Sequence, residues 1–240
     1  MLDQNIYVKK YIKTNETPDI LPVNEKEIWR YCGYMGIPKD DQIGLLSLLN
    51  EVYKDLENAF SYKLCYRRLQ ITWQDDMPVL PFYSQSQNLA RCLTGSDEIV
   101  MFAATIGTEI DRLISLNQRF NPTKALIMQA YGAERVEALC DEFCRELKLQ
   151  YSKEGFDVTP RFSPGYGDLP LEVQKEFFTL LDINRKIGIS LGDSMLMRPS
   201  KSVTAVFGLK PKGQGCESDK NINDTKTKCE SCENINCSFR

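Results

Sequence analysis

The chain has 240 residues, enough for one large domain or a domain with an appendage, and its 42% apolar and 26% charged side chains are ordinary for a packed globular protein. The formal net charge of −3 argues against a general nucleic-acid binder, which would carry a basic surplus. There is no histidine. That excludes every Ser–His–Asp or Cys–His mechanism and every imidazole ligand to a metal, heme or cobalt, and leaves acid–base work to Asp, Glu, Lys, Tyr or Cys. No apolar run of about 18 residues is present, so no membrane span is expected. The opening MLDQNIYVKKYIK lacks the apolar stretch of a signal peptide. The expectation is a cytoplasmic protein whose nine cysteines are thiols or metal ligands rather than disulfides.

Asn24 and Glu27 form a variant capping box ahead of Ile28, Trp29, Tyr31 and Cys32. This predicts a helix over 25–32, stopped near Gly33 and Gly36. A second helix is expected over 41–61, with Leu45, Leu48, Leu49, Val52, Leu56, Ala59 and Phe60 as its apolar stripe. Residues 64–73 alternate: Cys65, Leu69, Ile71 and Trp73 share one parity, Tyr66, Arg68, Gln70 and Thr72 the other, and Arg67 breaks the pattern. That reads as a half-buried strand. A short strand near 79–82 and a helix near 86–93 follow. Glu98–Thr105 reads as a buried strand, and the chain then turns at Ile106-Gly107-Thr108 into a helix carrying Ile110, Leu113 and Ile114.

The next helix, over 123–149, carries Gly132, Val136, Leu139, Cys140, Phe143 and Leu147 on one face. Cys140 and Cys144 lie four apart on it and read as buried thiols in a core stripe. Residues 155–170 read as a loop, 170–186 as a helix ended by Gly188. Ser194–Met197 and Ser202–Phe207 are two alternating stretches separated by Arg198–Lys201, which suggests a hairpin or a sharp bend. These elements predict an α+β fold, a twisted and mainly antiparallel sheet covered by long helices, over 1–209. A polar linker is expected at 210–228 and a Cys-rich tail at 229–240.

Two constellations carry chemistry. In the tail, Cys229, Cys232 and Cys237 fall within nine residues, with Cys216 upstream as a fourth thiol. Four thiolates suit tetrahedral zinc or a [4Fe–4S] cluster. The Cys-x2-Cys-x4-Cys run resembles the cluster-binding run of corrinoid iron–sulfur proteins, where the fourth cysteine lies downstream instead. The second constellation is Arg161-Phe162-Ser163-Pro164-Gly165-Tyr166-Gly167-Asp168. Pro164 and Gly165 make a turn that exposes main-chain polar groups, and Gly165 lets a ligand come close. Arg161 offers a planar fork for a carboxylate, Tyr166 a ring for an adenine or sulfonium face. Asp168 is placed to cap the following helix or to bind a cationic group. The plainer alternative is a structural loop with a surface arginine and a helix cap.

Arg161-x-Ser163-Pro164-Gly165-Tyr166, the helix after it, and Ser194-x-x-Met197-x-Pro199-x-x-Ser202-Val203 resemble the C-terminal activation domain of cobalamin-dependent methionine synthase. Ala133-Glu134-Arg135 on the long helix fits the same pattern, and the resemblance extends over residues 25–208. It implies a module that binds S-adenosylmethionine and docks on the cobalamin domain of a methyltransferase. There, after an external donor such as flavodoxin or ferredoxin supplies one electron to inactive cob(II)alamin, methylcobalamin is regenerated. Carried over, Arg161 would hold the ligand carboxylate, the main chain at Ser163 and Gly165 would meet its nucleoside or amino group, and Tyr166 would line the pocket. An acidic residue of the long helix would join them; Glu134, Glu137 and Glu142 compete, and Glu137 is taken. The chain then reads as a free-standing accessory subunit of a methyltransferase, with its client a methionine synthase lacking its own activation domain. The tyrosine-bearing segment that follows the hairpin in the family is replaced here by the linker and the cysteines. The competing function is an electron-transfer or metal-bearing binding module for corrinoid proteins without an S-adenosylmethionine site.

Overall fold

The computed structural model describes residues 5–11, 21–34, 36–37 and 43–213. Its centre is strand β5 (Glu98–Thr105), buried along its whole length. The run Ile-Val-Met-Phe-Ala-Ala serves two cores at once because successive side chains of a strand point to opposite faces. Val100, Phe102 and Ala104 enter one apolar cluster, and Ile99, Met101 and Ala103 the other. Around β5 stands a five-stranded antiparallel sheet in the order β1 (Tyr7–Tyr11), β2 (Tyr62–Gln70), β5, β9 (Ser202–Pro211), β6 (Phe156–Val158).

Helices cover both faces. The first cluster lies under α1 (Glu25–Tyr31), α2 (Ile43–Leu56), α4 (Glu109–Phe120) and the 32-residue α5 (Pro122–Lys153). The second lies under α3 (Gln87–Leu93), α6 (Gln174–Leu181) and α7 (Ile183–Ile187). The α+β architecture is therefore as the residue pattern implies. Asn24 caps α1, its side chain accepting from the Glu27 amide. Val136, Leu139, Cys140, Phe143 and Leu147 of α5 are all buried.

Several local expectations need correction. The parity of 64–73 holds, with Cys65, Leu69, Ile71 and Trp73 all on the second cluster. The other face is not simply solvated, however: Leu64 is fully buried and Tyr66 packs on Phe143 at 5.2 Å. Arg67 reaches across the second core to donate to the Leu180 carbonyl at 3.3 Å, so a cation meets the carboxyl end of α6. The short strand expected at 79–82 is β4 (Met77–Val79), paired with β3 (Thr72–Gln74). Within 155–170, Phe156–Val158 forms β6 at the sheet edge. The helix expected over 170–186 is a 3-10 turn (Leu171–Val173) followed by α6 and α7, which part at Asp182, a left-handed residue with φ 48°.

The hairpin is also placed differently. Strand β7 (Ser190–Leu191) pairs with β8 (Met197–Arg198), and the turn lies at Gly192–Leu196. Pro199 has no N–H to carry the ladder on. The next amide, Ser200, donates to the Asp111 carboxylate of α4 at 2.6 Å. Ser202 then begins β9, which pairs with β5 rather than with the preceding stretch. Strand β9 runs to Pro211, and Lys212 is held by the Gly155 and Ser152 carbonyls, so the first residues assigned to the linker finish the sheet. The remaining linker and Cys216, Cys229, Cys232 and Cys237 lie outside the described residues. Among those described, no helix is long and apolar enough to cross a membrane.

Candidate functional site

After β6 the chain continues along the free side of β9. The Thr159 amide donates to Gly208 O at 3.0 Å, and Phe162 and Val206 exchange two main-chain bonds of 2.8 and 2.9 Å. Strand alternation then fixes the directions. Phe162 enters the second cluster with Val206, while Arg161 faces α5. Its guanidinium donates to Asp141 at 2.5 Å and to Glu137. These two carboxylates are four residues apart, hence neighbours on one helical face. The Arg161 side chain is 16% exposed, against 42% for Glu137 and 71% for Asp141, so a sunken cation sits beneath two surface acids. Burial opposes its charge, but the Glu137 and Asp141 carboxylates favour it, and the guanidinium is held above the ordinary arginine value.

The turn beyond it is built by its sequence. Tyr166 N donates to Ser163 O at 3.1 Å, with Pro164 and Gly165 between them. Gly165 has φ +85°, which a type II turn requires at its third residue. A Cβ there would stand 3.0 Å from Leu171 Cδ1. The Gly165 amide donates to Leu169 O at 2.9 Å. With that amide committed, a ligand meeting the main chain at Gly165 would meet its carbonyl oxygen. The Tyr166 ring packs edge-on against Phe162 at 5.4 Å and remains 52% exposed.

The structure thus pairs Arg161 with Glu137 and places Ser163, Gly165 and Tyr166 in the turn that follows Arg161. It separates the competing acids. Glu134 is 3% exposed, pairs with Arg135 and accepts from the Asn24 amide at 3.0 Å. Arg135 in turn donates to the Leu21 and Pro22 carbonyls. Glu142 pairs with Arg145. Asp168 does not cap the helix that follows it. Its carboxylate accepts from Ser86 Oγ and, at 2.8 Å, from the Gln87 amide, so it caps the start of α3 from outside. Burial works against its charge, but these bonds hold it below the usual aspartate value.

One residue was missed: Asp141, which carried a signal in its spacing of four from Glu137. Cys140 lies fully buried behind Arg161, and burial drives its thiol well above the ordinary value. Cys140 belongs to the first core, as its stripe implied, whereas Cys144, also expected to be buried, is only partly buried against it. Among the described residues no group of three metal-ligating side chains converges.

The model of the activation domain of vitamin B12-dependent methionine synthase matches residues 51–224. Among solved structures, the reactivation domain of MetH, bound to AdoHcy, is similar in fold. The TM-score is 0.64 at 13% identity, over 88% of this chain and 80% of that one. No curated protein matches.

Proposed function

The chain belongs to the family of vitamin B12-dependent methionine synthase activation domains, and from that premise we propose that it binds S-adenosylmethionine in the loop that begins at Arg161 and serves the reductive reactivation of a cobalamin-dependent methyltransferase. The carrying observation is Arg161 itself, a nearly buried guanidinium that opens between two acids beside a glycine turn. A planar fork of this kind suits a ligand carboxylate. Glu137 and Asp141 suit an ammonium, the half-exposed Tyr166 ring suits a flat or cationic group, and Gly165 leaves the main chain open to close approach. The solved relative bound to AdoHcy supports a ligand of the same chemical class.

In this reading the chain holds and orients the methyl donor, which is mainly a positioning task. The cobalamin is carried by a partner methyltransferase, for which methionine synthase is the first choice. That cofactor, given one electron by flavodoxin or ferredoxin, would supply the methyl acceptor, while Arg161 and its neighbours would hold the sulfonium and then the demethylated thioether. We also assign the cysteines at 216, 229, 232 and 237 to a [4Fe–4S] or zinc site, on their spacing. Iron and zinc analysis of the purified chain, with Cys229→Ser alongside, tests that assignment. Stoichiometric metal lost in the variant supports it, and a metal-free wild type prepared anaerobically removes it.

Calorimetric titration with S-adenosylmethionine tests the main proposal. Wild type should bind at one saturable site, Arg161→Ala should lose binding and Arg161→Lys should weaken it, with all three equally folded by circular dichroism. A folded wild type that shows no binding overturns the assignment of the loop.

A further inference from the structure

The charges around Arg161 mirror those of one ligand. The cluster holds one cation and two carboxylates, a surplus of one negative charge. Its neighbours do not cancel that surplus: Glu142 is matched by Arg145, and burial keeps the Cys140 thiol protonated. S-adenosylmethionine has the inverse set, one carboxylate with an ammonium and a sulfonium. Its demethylated product has lost the sulfonium and is neutral overall.

We propose that Asp141 is a specificity-determining residue that makes this site prefer the methyl-donating sulfonium to the thioether left after transfer. The inference rests on the reading of the Arg161 loop as an S-adenosylmethionine site. In the unliganded arrangement both acids are spent on Arg161. A ligand carboxylate that takes the guanidinium releases them. One acid then meets the ligand ammonium. The other finds a counterpart in the sulfonium and, with the product bound, finds none. Asp141 is the more exposed of the two acids, so it moves at the least desolvation cost. An exposed charge contributes modestly, so the preference it confers is about two- to fivefold. It should shrink as salt is raised, because exposed charges are screened.

The test is a pair of titrations, with S-adenosylmethionine and with S-adenosylhomocysteine, on wild type and Asp141→Asn, at low and high salt. The asparagine keeps the shape and a carbonyl acceptor for Arg161 while removing the charge. Wild type should bind the sulfonium more tightly, and Asp141→Asn should lose that preference by weakening the sulfonium alone. Equal wild-type affinity for the two ligands overturns the inference and leaves the site intact. So does a preference that survives in Asp141→Asn. Wild type that binds neither ligand removes the underlying site assignment, and the inference falls with it.

Discussion

The Arg135 guanidinium donates to the Leu21 carbonyl at 2.6 Å, so a buried cation of α5 grips the main chain that leads into α1. Arg135 also pairs with Glu134, which accepts from the Asn24 amide, and both side chains are at most 4% exposed. Removing one member would leave the other buried without its counter-charge. Arg135→Ala should therefore cost about 3–5 kcal/mol of stability. Urea denaturation measures it. A loss near 1 kcal/mol would mean that Glu134 finds another partner.

Gly165→Ala should destabilise by about 1–2 kcal/mol, because an L-residue is disfavoured at φ +85°. The contact with Leu171 Cδ1 adds little, since that atom is the end of a flexible side chain. Adding Leu171→Ala to Gly165→Ala should accordingly not restore the melting temperature; recovery would make the clash, not the backbone, the cause.

Asp168 gives a pH dependence with a definite sign. Its folded value lies below that of the unfolded chain. Its contribution is thus complete above the unfolded aspartate value of about 3.9 and is lost as pH falls through the lower folded value. Asp168→Asn should flatten the acid limb of stability in that window and cost about 1 kcal/mol at pH 7 through the weakened cap of α3. Melting curves from pH 2.5 to 7 read both effects, and an unchanged acid limb would show that other carboxylates set it.

Burial pushes the Cys65 thiol up to about 12 and the Cys140 thiol well above its ordinary value. Because the thiolate is the reactive form, both should resist iodoacetamide at pH 8 in the folded protein and be labelled once it is unfolded. Peptide mass mapping separates them from the other cysteines. Rapid labelling of Cys140 in the native state would mean that α5 opens locally around Arg161.

Elements with a self-contained pattern were legible before any coordinates. The full apolar run of β5, the stripe of α5 and the Asn24 cap all matched, because each is decided by residues within a few positions. Asp182 defeated the pattern. Apolar residues continue across it, with Leu181 and Ile183 both buried, so periodicity gave no sign that α6 stops and α7 starts there. The three residues of β6 are too few to read, and their pairing with β9 is set by the rest of the sheet. The site shows the same division. The turn at Pro164-Gly165 is written locally, whereas the partners of Arg161 and Asp168 are supplied by α5 and α3, which only folding brings near.

Helix α5 has 32 residues, about 48 Å at 1.5 Å per residue, and three separate attachments are measured off along it. Glu134 and Arg135 hold the entry to α1, Glu137 and Asp141 hold the Arg161 loop, and Glu146 holds Lys9 and Tyr11 of β1. One residue inserted after Val136 would leave the first attachment in place and swing everything beyond it by about 100°. Both later attachments would then point elsewhere, although the helix itself would lose nothing. Outside these attachments the exposed positions of α5 can change in identity but not in number: its length is a ruler set by three distant parts of the chain.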